Sequence, residues 1–238
     1  MTEAVLFDLD GTLLPLYQNE FLDRYFSLLA KKLSPYGYES GLFIKTIKKG
    51  VNAMMCNDGS CTNEEAFWRE FTSVFGKQSR EHNGVFDEFY RNEFQQVKDV
   101  CRPTPKADEI VKMIKCRGCK VILATNPLFP RYATESRIRW AGMDPADFDL
   151  ISTFDDFCVS KPNPDYFREV LRRIGLNAED CIMVGNDVDE DMVAESIGMK
   201  TFLLTDCVIN RKGADISHYA HGGFDDLKAY LNEQLSNQ

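Results

Sequence analysis

Two acidic side chains stand two residues apart where the first apolar segment of the chain ends. In Phe7-Asp8-Leu9-Asp10-Gly11-Thr12, Asp8 and Asp10 point the same way if an extended strand carries them. Carboxylates this close repel unless one is protonated or a cation lies between them. The competing account is a β-hairpin turning at Asp10-Gly11, which Pro15 and the helical apolar spacing from Tyr17 onward weaken. Three further clusters lie at the edges of regular segments. Ala124-Thr125-Asn126-Pro127 offers a hydroxyl and an amide, neutral donors suited to phosphate oxygens. The same residues could equally start a helix, with Asn126 as its cap. Lys161 is held extended by Pro162 just before a helix start at Asn163-Pro164, where its charge could offset an anion. Gly185-Asn186-Asp187-Val188-Asp189-Glu190-Asp191 reads either as an acidic helix start or as a hard-metal site, with Asp187 and Asp191 facing the strand end across one turn.

Each cluster alone has an ordinary structural explanation; the set is more telling. Phosphate transfer through a carboxylate needs a nucleophile, an acid/base, Mg2+ ligands, neutral donors and a cation. The chain has side chains for each, at strand or helix junctions.

Hydrophobic periodicity indicates the elements that must position them. Residues 3–9 form a compact apolar strand. Tyr17, Phe21, Leu22, Tyr25, Phe26 and Leu29 then recur at helical spacing, and a second, less clean helix runs from Leu42 to Val51. Thr62-Asn63-Glu64-Glu65 is a capping box opening a third, and Val85 to Val97 predicts a fourth. Four amphipathic helices in sequence read as a small bundle. After Arg102-Pro103-Thr104-Pro105 the pattern alternates: helices at 106–117, 130–141, 164–174, 188–197 and 224–235, strands at 120–125, 149–153, 181–185 and 200–204. This predicts an α/β fold, a doubly wound parallel sheet interrupted by a helical insertion. In such sheets ligands bind beyond the carboxyl ends of the strands, where the clusters fall.

The 28 basic against 37 acidic residues give a net charge of −9, which argues against a general nucleic-acid binder. A small phosphorylated substrate stays compatible, provided a cation screens the site. No apolar run approaches the ~20 residues of a membrane span, and the first residues have neither the basic stretch nor the cleavage site of a signal peptide. The eight cysteines are scattered, and the Cys116–Cys119 pair is split between a helix end and a strand start. They read as reduced thiols of a cytoplasmic protein.

Phe-Asp8-Leu-Asp10-Gly-Thr12, Leu-Ala-Thr125-Asn126, Lys161-Pro and Val-Gly-Asn186-Asp187-Val-Asp-Glu-Asp191 together resemble the four ordered motifs of the haloacid dehalogenase (HAD) superfamily, over the whole chain. The resemblance implies a HAD-like core domain of residues 1–14 and 104–238 and a helical C1 cap of residues 15–103. It also implies a Mg2+-dependent phosphoric monoester hydrolase acting on a small phosphorylated metabolite. Asp8 would attack phosphorus and form an aspartyl-phosphate; Asp10 would protonate the leaving oxygen and then activate water. Lys161, a catalytic residue in this scheme, would hold the phosphoryl oxygens with Thr125 and Asn126. Mg2+ would be held by Asp8, the Asp10 carbonyl and the acidic loop. There Asn186 stands where the family usually has an acid, so Asp187 is expected to be the main side-chain ligand. Asn186 would bind directly or through water, and Asp191 would stand behind, orienting water or Lys161. Asp10 argues against a dehalogenase, and Thr12 favours hydrolysis over a phosphomutase. A phosphonatase would need a cap lysine; Lys45, Lys48 and Lys49 are present, with no motif marking one. A non-catalytic binding relative would typically have lost Asp8 or Asp10. The resemblance leaves oligomeric state open.

Overall fold

The most apolar strand of the chain lies at the centre of its sheet, buried on both faces. The computed structural model describes residues 2–235. Its strands are β1 (Ala4–Phe7), β2 (Lys120–Leu123), β3 (Leu150–Ile151), β4 (Cys181–Gly185), β5 (Lys200–Leu204) and β6 (Ala220–Gly222). They form one 6-stranded sheet in the order β3-β2-β1-β4-β5-β6, and every pairing is parallel. The chain builds outward from β1 through β2 to β3, then crosses back to start β4 on the other side of β1. That reversal opens a crevice at the carboxyl ends of β1, β2 and β4.

Between β1 and β2 lie the helices α1 (Gln18–Leu33), α2 (Ser40–Met55), α3 (Asn63–Phe75) and α4 (Asn83–Arg91). The capping box predicted for the third is present, Thr62 accepting from Glu65 N–H and Glu65 from Thr62 N–H. The predicted fourth helix is broken at Asn92 and resumes as a 3-10 helix, Glu93–Val100. Its buried residues explain the break. Phe86 and Phe89 keep helical phase, but Phe94 is five residues on, and only a change of winding returns it to the core. The block enters and leaves the sheet at one place. Leu16 and Cys101 bridge, and Arg102 N–H donates to the Pro15 carbonyl at 2.8 Å.

The remaining helices are α5 (Pro105–Cys116), α6 (Arg131–Trp140), α7 (Pro164–Ile174) and α8 (Phe224–Leu235). Strand alternation divides the core between the two sheet faces. Val5 and Phe7 pack with Ile110 and Val111 of α5, Ile138 of α6 and Leu227 of α8. Ala4 and Leu6 pack with Phe167 and Val170 of α7.

Three other expectations are corrected. The predicted helix at 188–197 is only a 3-10 helix, Met192–Ile197. Before it the Asp187 and Asp191 side chains accept backbone N–H groups of their own loop. Strand β6 was not predicted, since Ala-His-Gly at an edge has no apolar run to reveal it. Asn126 caps no helix; α6 begins at Arg131, with Pro130 before it. Cys116 is exposed and Cys119 buried, as the divergent reading expects. Among the described residues no helix is long and apolar enough to cross a membrane.

Candidate active site

After β1 the chain turns tightly instead of forming a hairpin strand. The N–H groups of Thr12 and Leu14 both donate to the Leu9 carbonyl, at 3.1 and 2.8 Å. Gly11 takes φ +88°, and a Cβ there would fall 2.2 Å from Asn186 Nδ2, so glycine both permits the turn and lets the neighbouring loop approach. The result places Asp8 and Asp10 at the mouth of the crevice. Thr12 Oγ1 donates to Asn186 Oδ1 at 3.0 Å and lies 3.5 Å from Asp8 Oδ2.

Lys161 is completely buried, 0% exposed. Its Nζ donates to Asp8 Oδ1 at 3.1 Å and to Asp191 Oδ1 at 2.6 Å. Burial works against the ammonium, but Asp191 and Asp8 outweigh it and lift its pKa. Burial also lifts the Asp8 carboxyl, opposed by Lys161 and reinforced by Asp10 and Glu190. The trio thus confines two acids and one base in a dry place, which favours charge sharing over full ionisation of both acids. Asp191 lies against Lys161, close under the end of β4. Gly185 makes that possible, since a Cβ would lie 2.1 Å from Asp191 Oδ2.

Asp187 is held by its own loop and by a cation. Its Oδ1 accepts from the N–H groups of Asp189 and Glu190, at 2.9 and 3.1 Å, and its Oδ2 from Arg211 at 2.5 Å. Both oxygens are thus engaged, by the loop itself and by Arg211. Asn126 bridges two loops. Its Oδ1 accepts from Lys161 N–H at 3.2 Å and its Nδ2 donates to Glu190 Oε2 at 2.9 Å, so its amide ties the lysine's loop to the acidic loop. The Thr125 hydroxyl, by contrast, makes no hydrogen bond to another described residue.

Asp8, Asp10, Thr125, Asn126, Asn186, Asp187 and Asp191 all line one cavity of about 660 Å³, which continues up between the helices of the insertion. The family model for haloacid dehalogenase-like hydrolases matches residues 2–197. This chain is a haloacid dehalogenase-like hydrolase. Similarity to curated relatives is distant. A bifunctional riboflavin kinase/FMN phosphatase of Arabidopsis thaliana is 25% identical over 203 residues, 84% of this chain. The alignment spans only 48% of that relative's length. A glyceraldehyde 3-phosphate phosphatase of Methanothermobacter thermautotrophicus is 27% identical over 242 residues, 94% of each chain. In fold, a crystal structure of a HAD phosphatase from Thermococcus onnurineus superposes with a TM-score of 0.57 at 22% identity, covering 97% of this chain and 98% of its own.

In this haloacid dehalogenase-like hydrolase the sequence reading missed two contributors to the site. Arg137 of α6 is 1% exposed; its guanidinium pairs with Asp10 Oδ2, donates to Thr134 Oγ1 at 3.2 Å and lies over the Phe129 ring at 4.3 Å. Burial lifts the Asp10 carboxyl, and Arg137 opposes it. The other oxygen, Asp10 Oδ1, is buried without a partner. A signal existed: Arg137 falls in phase with Ala133, Thr134 and Ile138, the buried stripe of its helix. Glu190 is the second, held by Asn126 and pushed up to about 7 by burial and by Asp187 and Asp191. Asp187 and Asp191 share its loop, but Asn126 belongs to one that sequence spacing does not bring to it.

Proposed function

We propose that this hydrolase is a phosphoric monoester hydrolase in which Asp8 attacks phosphorus and Asp10 handles the proton. One observation carries the reading. The Asp8 carboxylate is backed at 3.1 Å by the fully buried ammonium of Lys161 and opens, beside Asp10, onto the cavity. A fixed cation behind a fixed carboxylate offsets the repulsion between nucleophile and phosphate ester. The phosphatase names of the relatives agree with it.

In the first step an Asp8 oxygen bonds to phosphorus while the bond to the leaving oxygen breaks, and Asp10 gives that oxygen its proton. In the second, Asp10 takes a proton from water as the water oxygen bonds to phosphorus. The bond to Asp8 breaks, phosphate leaves and both acids are restored. Arg137 fixes the Asp10 carboxyl through Oδ2. Lys161 has three N–H donors, two of them engaged by Asp8 and Asp191; the third, with the Thr125 hydroxyl, holds phosphoryl oxygens. Residues 15–103 serve as the cap that closes over the site and limits water. Lys45, Lys48 and Lys49 line a separate groove on the outside of α2, which disfavours the phosphonatase reading.

The residues present fit Mg2+. Thr12 Oγ1 and Asn186 Oδ1 beside Asp8 are oxygens able to ligate a hard cation, and the one nitrogen against Asp8, Lys161 Nζ, is an ammonium with no lone pair to compete. Among the described residues no three acidic, imidazole or thiol groups converge as a metal cage. Mg2+ binds through one or two carboxylates, keeps several waters and accepts phosphate oxygens, so a sparse oxygen site suits it. Asp8, Asn186 and the Asp10 carbonyl would hold it, and when bound it supplies positive charge against the phosphate. Asn186→Ala is therefore expected to raise the Mg2+ concentration for half-maximal activity by roughly 10–100-fold. Asn186→Asp should lower it, and Asp187→Ala should change it much less while lowering Tm. Mg2+ titrations of the three variants check this; the largest shift in Asp187→Ala would restore that residue as the ligand.

The test of the whole reading is Asp10→Asn assayed with esters of graded leaving-group basicity. General acid–base help is typically worth 10²–10⁴-fold. The alkyl ester should lose that much in single-turnover release of its alcohol, and p-nitrophenyl phosphate, whose leaving group needs no proton, far less. Equal losses for both would remove Asp10 from the acid role, and no phosphate release by the wild type from any ester would remove the phosphatase reading.

A further inference from the structure

The half of the cavity supplied by the insertion has an unusual wall for a phosphate-ester site. Phe21 and Tyr25 of α1, Phe67 and Trp68 of α3, and Phe86 of α4 face it, with Phe129 from the core side. The insertion contributes no lysine or arginine to the lining; its one charged side chain there is Asp87, which accepts from Tyr132. The cations that do line the cavity, Arg211 and Lys212, come from the loop after β5 and are paired with Asp187 at 2.5 Å and Asp189 at 2.8 Å. Polar anchorage within the chamber is correspondingly thin. From the insertion it comprises the Tyr25 and Tyr90 hydroxyls, 2.8 Å apart, which between them keep one O–H to offer after bonding to each other, with the Tyr17 hydroxyl and the Gln18 and Asn83 amides elsewhere on the lining.

These features discriminate among leaving groups. A carboxylate carried into this chamber would be desolvated beside Asp87, with the lining cations Arg211 and Lys212 already paired to acids, which is unfavourable. A sugar would leave most of its hydroxyls without partners. A flat or bulky apolar group would bury its surface against aromatic faces. A volume of about 660 Å³ is within the range of sites for ligands of roughly drug size.

Resting on the phosphatase reading of the site below it, we infer that the preferred substrate is the phosphate monoester of a bulky, uncharged, largely apolar alcohol. Its ring system would stack among the aromatic side chains of the insertion, with at most one neutral polar group against the Tyr25–Tyr90 pair.

The test compares esters of alcohols with similar intrinsic reactivity: 2-naphthylmethyl phosphate, 2-hydroxyethyl phosphate and phosphoglycolate. The naphthylmethyl ester is expected to have the highest kcat/KM, by ~100-fold or more over phosphoglycolate, the scale of discrimination that pocket contacts supply, and mostly through KM. Calorimetry on the same wild-type protein reads the chamber without turnover: 2-naphthylmethanol should bind saturably, and glycolate should not. Phosphoglycolate or the hydroxyethyl ester matching the naphthylmethyl ester would overturn the inference, as would glycolate binding in preference to naphthylmethanol. Naphthylmethanol binding with no hydrolysis of any ester would instead overturn the phosphatase reading and leave the chamber's ligand class standing.

Discussion

Asp8→Asn is expected to abolish phosphate-ester turnover and to leave the protein at least as stable as before. The loss is chemical: an amide oxygen is a poor nucleophile. The stability argument comes from the surroundings. Asp8 and Asp191 place two acids against one buried ammonium, and burial holds the Asp8 carboxyl above its ordinary pKa. An ionised Asp8 is therefore disfavoured in the fold, and a neutral isostere relieves that without opening a cavity. Lys161 still keeps Asp191 at 2.6 Å. Activity assays with thermal unfolding of the same preparation check both halves. Residual turnover above a few per cent, with contaminating phosphatase excluded, would end the covalent mechanism.

Lys161→Met should fail in both respects. The side chain is 0% exposed and meets two carboxylates. Removing it leaves Asp8 and Asp191 facing each other across an apolar methionine. Removing one partner of a buried ion pair typically costs about 3–5 kcal/mol, which in a chain of this size lowers Tm by roughly 6–20 °C. Activity should vanish as well, because the cation that offsets phosphate charge is gone. The double variant Lys161→Met/Asp191→Asn separates the effects. It should regain much of the lost Tm, one stranded acid having been neutralised, and remain inactive. If the double variant melted no higher than the single, the loss would lie in packing beneath α7 and not in charge.

The elements that carry the site were legible because their signals are local. Strand 181–185 and helices 164–174 and 224–235 end where apolar periodicity, Asn163-Pro164 and glycine stops end them. The Thr62–Glu65 box likewise needs only its own four residues. What was misread depends on partners far along the chain. The helix expected at 188–197 is reduced to a turn and a 3-10 segment, in which the Asp187 side chain accepts from the N–H groups of Asp189 and Glu190 and that of Asp191 from the N–H of Asp187. Arg211 and Lys161 hold those same carboxylates in place.

The sequence by itself determined the alternation of strands and helices, and with it the sheet, the position of the inserted helices, and the clustering of Asp8, Asp10, Thr125 and Lys161 at strand ends. Those follow from short-range periodicity and from the rule that binding residues lie beyond the carboxyl ends of parallel strands. Only the tertiary structure decided how the members of the cluster share their bonds. It turns Asp187 to Arg211, Asn126 to Glu190 and Asn186 to Thr12, and it brings the buried guanidinium of Arg137 onto Asp10 across 127 residues of sequence. A polar side chain buried at a loop crossing must find a partner or be strongly unfavourable. Which partner it finds depends on the spatial neighbours that folding supplies, and the order of residues along the chain does not contain that information locally.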